Sequence, residues 1–223
     1  CKSRSAQQEQ SGETADAQQN APESVVPTEP DTTVTIAAVG DIMMYDEQLD
    51  AARQDDGTYD FTSSFAAVSG STVSADLTVG NLELNFCGEP YSGKPDFRAP
   101  ESLAKTLSSI GFDVLQTANT YSIQNGLSGL QSTIRYLDAA GLSHVGTYAA
   151  QDDKTSLGGV LLKNVNGVKI AFIAYTKGLN YLTLPEGEEY AVDVLYTDYA
   201  SDFNKINTDA IVESVNAAKA LQP

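Results

Sequence analysis

The stretch VTIAAVGDIMM, Val34 to Met44, decides the fold. An apolar run rich in β-branched residues predicts a buried strand. It stops at Gly40, and Asp41 follows at once. In an open α/β sheet, ligand sites form outside the carboxyl ends of the strands. A carboxylate one residue past a strand is therefore a site candidate. Taken alone, the same aspartate also reads as a turn former or helix cap.

Working outward, the pattern repeats. Residues Tyr45 to Arg53 predict a short helix, and Phe61, Phe65 and Val68 recur at helical spacing. ADLTVGNLEL, Ala75 to Leu84, predicts a second strand ending at Gly80, with Asn81 and Glu83 just beyond. Pro100 opens a helix whose apolar stripe is Leu103, Leu107 and Ile110, and Gly111 stops it. FDVLQTA, Phe112 to Ala118, is a third strand, with Asn119 at its end. A helix from about Leu127 to Ala140 carries Leu130, Ile134 and Leu137, and Leu142 to Gly146 is a short buried strand. Val160 to Lys163 and Lys169 to Tyr175 flank Asn166-Gly167, a strong hairpin signal. Residues 178–205 form an acidic, tyrosine-rich excursion of loops, and Thr208 caps a last helix with Asp209 in its first turn. Another strand is expected where the chain stops at Pro223.

The 223 residues carry 30 Asp+Glu against 13 Lys+Arg, a net charge of −17. That excludes nucleic acid, whose binding rests on cationic side chains neutralising phosphates. An anionic substrate would need a metal ion or a local cationic pocket. No apolar run reaches the ~20 residues of a spanning helix.

The first residue is Cys1, and residues 2–32 are mostly Gln, Ser, Glu, Ala, Thr and Pro. Such a segment buries too little surface to fold, so a disordered tether is expected. Cys1 resembles the lipid-attachment cysteine of a mature bacterial lipoprotein, which would place the protein on the outer face of the cytoplasmic membrane. The alternative is a chain boundary that falls on cysteine by chance. A lipid-bearing Cys1 leaves Cys87 unpaired, read here as a buried small apolar residue.

Three strands thus end in oxygen-bearing side chains: Asp41, then Asn81 and Glu83, then Asn119. A parallel sheet would bring them to one edge. Carboxylates and carboxamides without a cysteine cluster suit hard or borderline divalent cations of the Mn, Zn, Fe or Mg class.

The blocks VGDIMM, VGNLEL, FRAPESLAKTLSSIGFDVLQTANTYSIQNGLSGLQSTIRYLDAAGLSHVGTY and VNGVKIAFIAYT resemble, in order and spacing, the CapA family of capsule or poly-γ-glutamate biosynthesis proteins. The resemblance covers roughly residues 34–220. It implies a calcineurin-like metallophosphoesterase fold, an α/β sandwich, with metal ligands at strand ends. By motif match Asp41 is the aspartate of the GD motif, Glu83 the acid of the NLE motif, and Asn119 the first residue of the Asn-Asn-His motif. Two metals in such a site would polarise a phosphoryl group and supply a hydroxide.

The sequence departs from that pattern twice. Asn119-Thr120-Tyr121 stands where the family has Asn-Asn-His, and a phenol of pKa near ~10 cannot replace imidazole as a base or neutral ligand. The family's later His-Trp-Gly motif has no counterpart: the chain has no Trp and one histidine, His144. On the family pattern the α/β sandwich therefore lacks its C-terminal part. His144 either lines the pocket or is a structural, backbone-bonded residue. Arg98 either binds an anionic group or anchors its loop.

The expectation is a surface-anchored protein working on an anionic envelope polymer or with its synthesis machinery, hydrolytic if metal binds. The rival is a catalytically inactive scaffold or polymer-binding lipoprotein of the same fold. A solute-binding lipoprotein shares the tether but not the strand-end motifs.

Overall fold

A computed structural model describes residues 32–156 and 158–223. Cys1 and the predicted tether lie outside the described residues, apart from Thr32. Strand β1 (Ile36–Ile42) is followed by helices α1 (Asp46–Ala52), α2 (Thr62–Phe65) and α3 (Ser69–Ser74). Then come β2 (Leu77–Leu82), α4 (Ser102–Ser109), β3 (Val114–Gln116), α5 (Gly126–Ala139) and β4 (Ser143–Val145). Helix α6 (Gln151–Ser156), strands β5 (Leu161–Val165) and β6 (Val168–Phe172), a 3-10 turn at Glu189–Ala191 and α7 (Thr208–Ala220) complete the order.

Strands β1 to β4 form one parallel sheet in that spatial order, and β5 and β6 pair antiparallel. The strands add in one direction. Right-handed crossovers therefore lay every helical connection on the same face. The helix stripes fall where their period places them: Leu103, Leu107, Leu130 and Leu137 are all 2% exposed or less. Leu82, Leu115, Phe61 and Phe86 join the α4 residues in one apolar cluster. Leu77, Val114, Val145 and Val192 form a second, against which Ile170 and Phe172 of β6 pack. Asn166 and Gly167 take the positive φ values, 53° and 87°, that a tight hairpin turn requires.

Several details differ from the sequence reading. Asp41 lies inside β1 and not one residue past it. A register shift between Ala38 and Asp41 lets the strand run on, so that Asp41 pairs with Asn81 and Ile42 with Leu82. Asn81 likewise belongs to β2. β1 is also not buried. Among the described residues it is paired with β2 alone, and Ile36 and Val39 are 46% and 37% exposed. Thr208 is the first residue of α7 and not its cap, which is Asn207. Among the described residues no helix is long and apolar enough to cross a membrane.

Candidate functional site

Parallel pairing brings Asp41, Asn81, Glu83 and Asn119 to one end of the sheet. Asn81 and Glu83 are two apart on an extended chain, so their side chains share a face. Asn81 occupies the centre. Its side-chain nitrogen donates to Asp41 Oδ1 at 2.7 Å and to Glu83 Oε2 at 2.8 Å. Its oxygen accepts from Asn119 Nδ2 at 3.1 Å. Asn119, buried, also donates to the Leu82 carbonyl at 2.7 Å.

Glu83 is buried and Asp41 is exposed. Burial pushes the Glu83 carboxyl above its ordinary value, and the negative charge of Asp41 pushes it further. Bonds from Asn81 and from the Thr120 hydroxyl work the other way. A cation would relieve the repulsion between the two carboxylates, and the donor set could take a divalent ion with oxygen ligands. Among the described residues no group of three or more histidine, cysteine or acidic side chains converges. The carboxylates available are therefore two, supplemented by carboxamides.

Asn119 contributes less than its motif match implies. Its Oδ1 accepts the Tyr121 backbone N–H at 3.1 Å, which turns the oxygen into its own loop. Its backbone N–H donates to Ser122 Oγ, which in turn donates to the Thr117 carbonyl. Tyr121 does not reach the carboxylates as a base. Its ring packs edge-on to Phe97, centroids 4.6 Å apart, as part of the core. Thr120 entered the sequence reading only as a departure from the motif, and it is one of the groups that hold the Glu83 pKa down.

The two remaining candidates stand apart. His144, on β4, has Nε2 3.9 Å from Asp138 Oδ1 and lines a cavity of about 320 Å³ with Asp153 and Tyr148. Burial pushes its imidazole below the ordinary histidine value. Arg98 Nε donates to Cys87 Sγ at 2.9 Å, and its backbone bridges Asn85 and Ser92. Arg98 thus anchors its loop. Cys87 is a partly exposed hydrogen-bond acceptor and not the buried apolar residue expected.

The sequence model for bacterial capsule synthesis protein PGA_cap matches residues 35–222. A capsule biosynthesis protein CapA of Bacillus anthracis is 25% identical over 192 residues, covering 83% of this chain and 42% of its own length. A PGA biosynthesis protein CapA of Bacillus subtilis (strain 168) is 26% identical over 158 residues, 68% of this chain and 39% of its own. An uncharacterized protein y4sH of Sinorhizobium fredii is 35% identical over 81 residues, 32% of this chain and 17% of its own. The chain spans less than half the length of these curated relatives.

Proposed function

Because the chain belongs to the bacterial capsule synthesis family PGA_cap, we propose that it acts in the synthesis, anchoring or trimming of an anionic envelope polymer of the poly-γ-glutamate type. The observation that carries this reading is the match over residues 35–222, which spans every strand and all the strand-end motifs. The low identity and partial coverage of the relatives fit a shared role and leave the polymer open. The tether-like composition of residues 2–32 supports a domain held away from an attachment point at the cell surface.

Asp41, Glu83 and Asn119 would hold a divalent cation, with Asn81 bonded to all three. When bound, such an ion polarises a phosphoryl or carbonyl oxygen. Asn81 keeps the two carboxylates together. The protein takes up at most one divalent metal tightly. Elemental analysis finding two stoichiometric metals would overturn that.

A non-catalytic, polymer-binding version of the same role is favoured by one observation. The Asn119 oxygen faces the Tyr121 N–H, and no imidazole joins the group. The two versions separate on Asp41→Asn in the producing cell. Loss of surface polymer, together with loss of phosphodiester hydrolysis by the purified protein, supports an enzyme. Unchanged polymer, against none when the protein is deleted, supports the scaffold. Normal polymer after deletion sinks both.

A further inference from the structure

A small internal cavity of about 10 Å³ lies beside the loop that carries Asn119. Its walls are three leucine side chains and five polar ones: Asn85, Thr117, Ser122, Thr133 and Thr147. None of these residues is more than 6% exposed. The described residues bury the cavity walls by themselves, so its chemistry does not depend on what covers the outer surface.

The polar walls are short of donors. A hydroxyl has one hydrogen and two acceptor lone pairs. Thr133 Oγ1 donates to the Gly129 carbonyl at 2.7 Å and accepts the Phe86 N–H at 2.9 Å. Ser122 Oγ donates to the Thr117 carbonyl at 2.7 Å and accepts the Asn119 N–H at 2.8 Å. Thr117 Oγ1 donates to the Val145 carbonyl at 3.1 Å. The 2.6 Å contact between the Thr117 and Thr147 hydroxyls therefore uses the Thr147 hydrogen. The Asn85 amide donates to the Leu84 and Ser122 carbonyls. Among the described residues, the hydroxyl and amide hydrogens of the wall are thus committed. Lone pairs are left over, both on Thr147 and one each on Thr117, Ser122 and Thr133.

Buried acceptors that face no donor are costly, and a lining made only of acceptors selects a ligand that brings hydrogens. A buried water needs roughly 10–15 Å³ and two to four polar partners. We propose that this cavity binds one water molecule, which donates one hydrogen to Thr147 Oγ1 and the other to a second wall hydroxyl. The bound water joins the segments that follow β3 and β4 to the loop that sets Asn119, because Ser122 Oγ also carries the Asn119 N–H. The site stands whether or not a cation binds at Asp41 and Glu83.

The test is a crystal structure of the full chain at a resolution that shows ordered water, paired with water–protein NOE measurements in solution. The expected result is one peak within hydrogen-bond distance of Thr147 Oγ1, and long-lived water NOEs to the Thr117 and Thr147 methyl groups. Thr147→Val, which keeps the shape and removes the acceptor, should lose both signals, and Thr147→Ser should keep them. If Thr147→Val does not fold, the wild-type map and NOEs decide alone. A wild-type cavity with neither peak nor NOE overturns the proposal. So does a peak with the short contacts of a metal ion, or a water that Thr147→Val leaves in place.

Discussion

The Asn81 side chain donates to the Asp41 carboxylate at 2.7 Å from its register partner position on the next strand. The same nitrogen reaches Glu83 at 2.8 Å. A neutral amide thus sits between two acids where a cation would be electrostatically favoured. Asn81→Ala removes both charge-assisted bonds and leaves the acids facing each other. Such bonds contribute about 1.5–3 kcal/mol each, and solvent around the exposed Asp41 puts this case near the low end. Urea unfolding without divalent cation is expected to show the loss, and saturating Mn²⁺ to shrink it. An equal loss with and without Mn²⁺ would mean that the amide and the ion do not compete for one place.

His144 gives a pH dependence with a single reporter, since it is the chain's one histidine. Burial lowers its pKa from the ordinary 6.5, and the carboxylates of Asp138 and Asp153 restore part of the shift. The unfolded chain then takes up the proton first. Stability is intact above the unfolded value and is lost as pH falls through the folded one. Unfolding free energy should decline as pH falls below the ordinary histidine value of 6.5 and level off only once the lowered folded value is passed, and His144→Leu should flatten that decline. A folded-state NMR titration midpoint above that of the unfolded chain would reverse the sign and refute it.

Much of this was legible in the chain because it is periodic. Leu103, Leu107, Leu130 and Leu137 repeat at helical spacing and are buried. Asn166-Gly167 has the turn chemistry that its hairpin needs. Glu83 stands one residue past β2, while β3 ends at Gln116, short of the predicted Ala118, and leaves Asn119 three residues beyond it. What was not legible depends on neighbours. Composition marks β1 as apolar, but exposure depends on neighbours, and among the described residues β1 pairs only with β2. The register shift that draws Asp41 into the strand is a property of two paired backbones. Helix α6 buries none of its residues, so it left no apolar stripe to detect. The orientation of the Asn119 carboxamide is set by its own loop, through Tyr121 and Ser122.

Gly146 closes β4 at φ 94°, and a Cβ there would lie 2.6 Å from Ala118 Cβ and 3.1 Å from Ala174 Cβ. Gly141 has a similar φ of 75° with nothing within 4 Å. Gly141→Ala therefore isolates the backbone cost, about 1–2 kcal/mol. Gly146→Ala adds overpacking between β3 and the segment after β6, another 1–3 kcal/mol or about that. Thermal unfolding should rank wild type above Gly141→Ala and Gly141→Ala above Gly146→Ala. Equal losses for the two would show that the core gives way around Gly146.

Asp193 is 2% exposed and is held by two groups. Lys154 Nζ lies 2.8 Å from Oδ1, and the Tyr148 hydroxyl donates to Oδ2 at 2.6 Å. Burial first, and then the Asp193 charge, push the Tyr148 hydroxyl above the usual phenol range, so it remains a donor at neutral pH. The group ties α6 to the segment after the 3-10 turn. Lys154→Met leaves a buried carboxylate with the hydroxyl alone. Removing one partner of a buried pair costs about 3–5 kcal/mol, and the partial exposure of Lys154 places this case toward the lower figure. Asp193→Asn costs less, because the ammonium group it releases can turn to water. The double variant should be more stable than Lys154→Met, since no unpaired charge remains buried. Strictly additive losses in urea unfolding would show that Lys154 and Asp193 are not energetically coupled.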